Sequence, residues 1–517
     1  MSRTEVGVLL ALSALALALR LPGLSRGIYT DEAYSLALAQ RSFGQMLALF
    51  GYEPNGAPYS IVLWPLIRIF GSGLTLLRAP AVIAGSASVP ALWWAARRYA
   101  APAAALLAAA LLAVNPMAVF YSQDARAYAF VVLSACLAFG ALAAALERGS
   151  SRRAWAVYIA AMVALAYSEI FAAPLVLPAQ VLVVWRASGG AGAHDDARAR
   201  RDRLVRWLWS LLAVLVCCLP LLFAAAVAAS RRNALYWLPK TSRGLVSRAL
   251  QEFTAGLSGQ TAARWATLAA GALLVGAALW VLWRRRRMRA EGALATALCW
   301  GLLPGAVLLA VSFAHPVFWP RYVIVSLPGL CLVLALAAER LWRSRAGALT
   351  ATACVAVVTI AAAVADVHQR SAVEEGWPAI ALWLRHERAP GQPVIVDDAS
   401  VLPSLGYYDP ALRAPNGDLA VQEWHDRPLP AGFVGFKDPG GWGNVPDGPP
   451  SLAAFKRLAR GGGSVWMVVA EVDGARQSDP TDGAAVAWAR RNCDVQVRTG
   501  VNVWALHASN CRISGAA

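Results

Sequence analysis

The stretch "PYSIVLWPLIRIF" (58–70) decides how the chain is threaded. It is apolar, but a helix of its length reaches only about 20 Å against a hydrocarbon core of about 30 Å. Pro65 and Arg68 interrupt it further. Suppose it does not span and the N-terminus is cytoplasmic. Then Arg97-Arg98, "ERGSSRR" (147–153), "ARARRDRLVR" (197–206), "RRRRMR" (284–289) and "ERLWRSR" (339–345) all fall on the cytoplasmic side, as the positive-inside rule requires. Counting 58–70 as a span would put every cluster outside. The stretch therefore reads as a helix lying in or near the interface.

The frame around it is a polytopic α-helical membrane protein. The 517 residues are 58% hydrophobic and only 15% charged, which excludes an ordinary soluble globule. Apolar runs at roughly 5–22, 79–96, 101–119, 127–146, 154–169, 171–186, 207–229, 265–283, 292–313, 322–340 and 347–366 make about eleven transmembrane candidates. The first reads as an uncleaved span, because cutting at its small-x-small site would leave too little apolar length. The net charge of +17 comes from arginines clustered between runs, a pattern that orients a membrane protein and does not call for nucleic acid.

Parity puts the loop 23–78, "FYSQDARAY" (120–128), "YSEI" (167–170), the basic loop 230–264, "AHPVFWPRY" (314–322) and everything after about residue 367 on the extracytoplasmic side. The transmembrane domain is thus 1–366, and 367–517 reads as an extracytoplasmic α/β domain. In the latter, "AVEEGWPAIALWLRHE" (372–387) is an amphipathic helix followed by the strand "PVIVDDA" (393–399). "SLAAFKRLARGGGSVWMVVAEV" (451–472) and "AAVAWARRNCDVQVRTGVNVWALHA" (484–508) repeat helix, then strand. Six of the eight cysteines lie in apolar runs as small core residues, whereas Cys493 and Cys511 are candidates for a disulfide if their region is extracytoplasmic. The chain has no nucleotide-binding glycine motif, no H-E-x-x-H and no C-x-x-C.

Three clusters on the extracytoplasmic side carry the candidate chemistry. Asp31 and Glu32 in "RGIYTDEAYSLALAQ" (26–40) follow the first span. Taken alone they fit a helix start capped by Thr30; at the mouth of a cavity, Asp31 would serve as a general base. Asp124 and Arg126 sit in the short turn "YSQDARAY" (121–128), where an N-cap is the plain alternative. Arg321 and Tyr322 open a span behind Pro320; such a pair anchors a helix in the headgroup belt or clamps a phosphate. Glu53, Asn55, Tyr59, Arg231, Arg232 and Lys240 are candidate substrate-binding residues, the last three because positive charge outside fits an anionic ligand. Glu169 is a further acid on this side, and no metal-ligand cluster is visible in the spacing.

The acidic pair after the first span, the proline-containing interface helix, "LLRAPAVIAG" (76–85), "YSQDARAYA" (121–129) and "PRYVIVSLPGL" (320–330) resemble the GT-C class of membrane glycosyltransferases. The likeness is to the protein O-mannosyltransferase and lipid A aminoarabinose transferase relatives, over about residues 1–345. It implies transfer of a sugar from a polyprenyl-phosphate donor to a lipid, glycan or protein acceptor, on the outer face of a bacterial cytoplasmic membrane. It implies Asp31 as catalytic carboxylate, with Glu32 beside it, and Asp124 as a builder of the site. Tyr322 with Arg321 would hold the lipid phosphate, aided by Arg126. Relatives often carry a cation before the interface helix where this chain reads "EPNGAPYS" (53–60), so the clamp is completed elsewhere, with 230–264 the candidate. The sequence names no cofactor, and Asp31 and Asp124 could hold a divalent ion. The alternatives are a lipid or solute transporter, which would bury charges at mid-membrane, and a non-catalytic envelope scaffold.

Overall fold

The computed structural model describes the chain apart from residues 1, 51–54, 148–151, 190–196, 231–237, 239, 285–291, 373–375, 390–391, 393, 397–400, 414–432, 436–454, 460–462, 471–479, 501–502 and 513–517. Glu53, Arg231 and Arg232 therefore lie outside the described residues.

Every apolar run named above is helical. The helices are α1 (Arg3–Arg20), α2 (Thr30–Gln40), α3 (Phe43–Leu49), α4 (Ala57–Phe70), α5 (Leu74–Ala96), α6 (Pro102–Val114), α7 (Pro116–Tyr121) and α8 (Tyr128–Leu146). They continue with α9 (Arg152–Ser168), α10 (Ala172–Gly189), α11 (Ala197–Cys217), α12 (Leu219–Ser230), α13 (Arg243–Ala255), α14 (Thr261–Arg284) and α15 (Gly292–Ser312). A 3₁₀ turn at Pro320–Ser326 leads into α16 (Leu327–Leu341), and α17 (Arg345–Ala372) ends the bundle.

Among the described residues, six helices are long and apolar enough to cross a membrane, or seven if α11 and α12, bent by 53° at their junction, form one span. The expectation of eleven full spans is not met by length and composition. Pro116 cuts the run 101–119, leaving α6 with 13 residues, or about 20 Å. Helix α9 has only 17 residues, and α1 carries Arg3, Glu5 and Arg20. The fold is still that of a multi-pass membrane protein. Phe223, Trp185, Trp209, Phe313 and Leu349 point outward with more than half their surface exposed, as lipid-facing side chains do.

Small residues let the central helices close up. A Cβ on Gly329 of α16 would sit 2.5 Å from the Gly301 backbone nitrogen of α15, so this crossing requires glycine. Beside it Phe139 stacks on Trp300 at 3.8 Å, and Trp300 Nε1 donates to the Val325 carbonyl at 2.8 Å, near the start of α16. Helix α4 holds 14 residues with Pro65 inside and begins after Gly56 at φ +85°, a left-handed turn that favours glycine.

Residues after α17 form α18 (Trp377–Glu387), β1 (Val394–Val396), α19 (Val401–Tyr408), β2 (Phe433–Gly435), β3 (Ser464–Ala470), the helix Pro480–Asn492, β4 (Asp494–Gly500) and β5 (Val503–Ser509). The sheet order is β2-β1-β3-β5-β4; β1 runs parallel to both neighbours, and β5 is antiparallel to β3 and β4. The expected third repeat is thus a helix followed by an antiparallel hairpin. Alternation along β3 serves two layers. Trp466 and Val468 face Trp377, Trp383 and Leu402, whereas Val465 and Met467 face Phe455 and Trp488. Cys493 and Cys511 are joined, tying the entry of β4 to the exit of β5.

Candidate active site

The site is assembled around a buried ion pair. Arg78, on the α5 face turned away from lipid, and Glu32, in the first turn of α2, are both fully buried. Arg78 Nε donates to Glu32 Oε1 at 2.7 Å and Nη2 to Oε2 at 2.5 Å. Its remaining N–H groups donate to the carbonyls of Leu24, Arg26 and Gly27 at 2.8, 2.9 and 2.8 Å. All five guanidinium donors are thereby used, which is what makes a charge tolerable at this depth. Glu32 also accepts from Tyr29 N at 3.0 Å and Ala125 N at 2.9 Å. The first contact closes the start of α2, so Tyr29 is the cap residue and Thr30 the first helical residue, a correction to the expected Thr30 cap. The second pins the turn after α7 to the same helix start.

This clasp brings Asp31 and Asp124 together. Asp31 projects from α2 the other way and meets Arg321 Nη1 at 3.1 Å, its side chain still 40% exposed. It lines a place that solvent can reach. Burial pushes the Asp31 carboxyl up, but Arg321 and then Arg126 outweigh that and hold it below the ordinary carboxylate range. Asp124 is buried in the turn, where the Arg126 N–H donates to its own carbonyl at 2.7 Å. It caps nothing, since α8 starts at Tyr128 behind Ala127. Its Oδ1 is buried without a hydrogen-bond partner among the described residues. Burial first, then Glu32 and Asp31, push its pKa up to about 7, against the pull of Arg126 and Arg26.

Arg321 lies with its guanidinium 5.7 Å from the centre of the Tyr128 ring. Tyr322 is buried beside Phe171, ring centres 6.0 Å apart, in a cluster with Leu175, Leu308 and Phe318. Glu169, in the turn between α9 and α10, joins this group. It is buried, and burial lifts its pKa to about 7 against the pull of the Phe171 N–H, Arg321 and Arg126. Residues 31, 124, 126, 169, 321 and 322 therefore come from four separate segments and share one end of the bundle.

Four other sequence candidates are placed differently. Glu32 is spent on Arg78 and two backbone amides, so it positions the site and does not face substrate. Tyr59 is buried, its hydroxyl donating to the Leu77 carbonyl and its ring edge-on to Phe130, so it fastens α4 to α5 and is not open to substrate. Asn55 Oδ1 accepts from Ile170 N at 3.1 Å, and Gly56 N donates to the Tyr167 carbonyl at 3.1 Å, which stitches the start of α4 to the Glu169 turn. Lys240 is exposed ahead of α13. From that basic segment it is Arg248 that comes near, packing over the Trp319 ring at 4.6 Å and pairing with Glu252 at 2.9 Å; Glu252 in turn accepts from Tyr121 Oη at 3.3 Å. Arg78 was visible in the sequence only as part of "LLRAPAVIAG" (76–85), just ahead of an apolar run. Among the described residues, no group of three or more His, Cys, Asp or Glu side chains is arranged to hold a metal ion.

The fold with this site at one end defines a class: it is the fold of the GT-C membrane glycosyltransferases. The family model for dolichyl-phosphate-mannose-protein mannosyltransferase matches residues 57–223. The chain resembles the crystal structure of ArnT from Cupriavidus metallidurans bound to undecaprenyl phosphate, with TM-score 0.58 and 14% identity over 98% of each chain. It also resembles the oligosaccharyltransferase AglB from Archaeoglobus fulgidus in complex with an inhibitory peptide and a dolichol-phosphate. There the TM-score is 0.54 and the identity 12%, over 97% of this chain and 74% of that one. A search of curated protein sequences gives no match.

Proposed function

We propose that the protein is an inverting glycosyltransferase that moves a sugar from a polyprenyl-phosphate donor to an acceptor on the extracytoplasmic face of a bacterial cytoplasmic membrane. The observation that carries this is the Asp31–Arg321 pair at 3.1 Å, beside Arg126 and the buried Asp124, at one end of a GT-C fold. An acceptor hydroxyl attacks the anomeric carbon and gives its proton to Asp31. The bond from that carbon to the phosphate oxygen breaks, and its electron pair leaves on the phosphate as polyprenyl phosphate. Arg321, Tyr322 and Arg126 stabilise that developing charge, where a well-placed donor contributes about 3–4 kcal/mol. A positioned base adds roughly 10²–10⁴ in rate.

The relatives' lipid phosphates support this donor class, and the lipid-facing helices give a prenyl chain a path to the phosphate. Outward orientation is supported by the arginine distribution and by the Cys493–Cys511 disulfide. The region after α17 would then bind or cover the acceptor. Asp31→Asn tests the reading. Transfer of labelled sugar from polyprenyl donor lipids should fall by at least a hundredfold, while undecaprenyl phosphate still binds and the fold is unchanged. Retained transfer would remove Asp31 from the mechanism, and a scaffold or transporter would be indifferent to the change.

A further inference from the structure

We infer that Tyr408, from the α/β region, is a positioning residue for the catalytic loop, so that the C-terminal region forms part of the transferase site. The inference rests on the function proposed above. Its hydroxyl accepts from the backbone N–H of Ile28 at 2.8 Å, three residues before Asp31, and Ile28 is fully buried. The segment 24–29 has no regular structure of its own to hold it. It is gripped from one side by Arg78, which takes the carbonyls of residues 24, 26 and 27, and from the other by Tyr408. Between the two grips its backbone can take only one course into α2.

Tyr408 is suited to this because it belongs to two cores at once. It packs against the cluster that holds Trp377, Leu405 and Trp466 of the α/β region, and against the one that holds Ile28, Ala33 and Leu36 around α2. Its neighbour Tyr407 meets it edge-on at 5.1 Å and reaches the Ser72 carbonyl at 3.4 Å, ahead of α5. The end of α19 is itself braced, since Arg413 donates to the carbonyls of Gly406 and Tyr407 at 2.7 and 3.2 Å. A displacement of α19 therefore reaches Asp31 through the Tyr408–Ile28 hydrogen bond and the apolar contacts beside it.

The test compares Tyr408→Phe with Tyr407→Phe in the full-length protein in detergent or nanodiscs. Losing the Ile28 partner leaves a buried N–H unsatisfied, so amide exchange of the 24–33 segment should accelerate roughly tenfold or more in Tyr408→Phe. Exchange should be unchanged there in Tyr407→Phe. Turnover should drop in Tyr408→Phe, with KM for the donor lipid and binding of undecaprenyl phosphate held at wild-type values. A Tyr408→Phe protein whose melting temperature falls while 24–33 exchange and turnover stay at wild type would overturn the inference. Transfer retained in Asp31→Asn together with accelerated 24–33 exchange in Tyr408→Phe would instead spare the coupling and overturn the function it serves.

Discussion

Adjacent carboxylates at 31 and 32 should give opposite phenotypes. Glu32→Gln keeps size and shape but removes the charge that balances Arg78. Two of the contacts to Glu32 come from that guanidinium and two from backbone N–H groups. An amide can accept on one side only, so its NH₂ group would face a donor. Both partners of the pair have no exposed side-chain surface. Breaking a buried pair by removing one member costs about 3–5 kcal/mol, a large share of the roughly 5–15 kcal/mol that holds a typical fold together. Asp31→Asn breaks a pair whose members are 40% and 20% exposed, in the range where an ion pair contributes about 0–1 kcal/mol. Thermal unfolding in detergent, followed by size-exclusion fluorescence, should show a clear loss of melting temperature for Glu32→Gln and almost none for Asp31→Asn. Transfer assays at a temperature where both are folded should find Asp31→Asn inactive. A Glu32→Gln protein as stable as wild type yet inactive, beside an active Asp31→Asn, would refute the assignment and make Glu32 the base.

Three further outcomes are expected. Asp124 has a folded pKa of about 7 against about 3.9 in an unfolded chain, so its ionisation costs stability as pH rises through that window and nothing below it. Asp124→Asn should therefore raise the melting temperature at pH 8 and leave it unchanged near pH 4; an equal effect at both would be inconsistent with the buried, half-neutral carboxyl. Arg321→Ala should weaken undecaprenyl phosphate binding by roughly ten- to a hundredfold, the value of a charge-assisted hydrogen bond, with Arg321→Lys recovering part; unaltered binding in a lipid titration would place the phosphate elsewhere. Cys493→Ser opens a bridge that closes an 18-residue separation, which should destabilise the C-terminal sheet by about 3 kcal/mol and hasten limited proteolysis after β3.

Much of the site was readable in one dimension because a membrane reduces topology to counting. Once 58–70 is taken off the list of spans, alternation alone puts 31, 124, 169 and 321 at one end of the bundle. Composition and the arginine clusters settled the class of protein, and apolar length settled where helices form. Length did not settle how many of them cross, since Pro116 and the bend after α11 are broken by packing and proline geometry that a hydropathy run does not register.

What only the tertiary structure decided is which carboxylate faces which way. Successive helical residues point about 100° apart, so Asp31 and Glu32, inseparable in the sequence, are sent to a place that solvent reaches and to a dry core. The partner that fixes that choice, Arg78, lies 46 positions away at the edge of an apolar run. Tyr408 reaches Ile28 across 380 positions. Neither pairing leaves a local signature, because a buried charge or hydroxyl is satisfied by whatever the fold brings to it, however far along the chain it began.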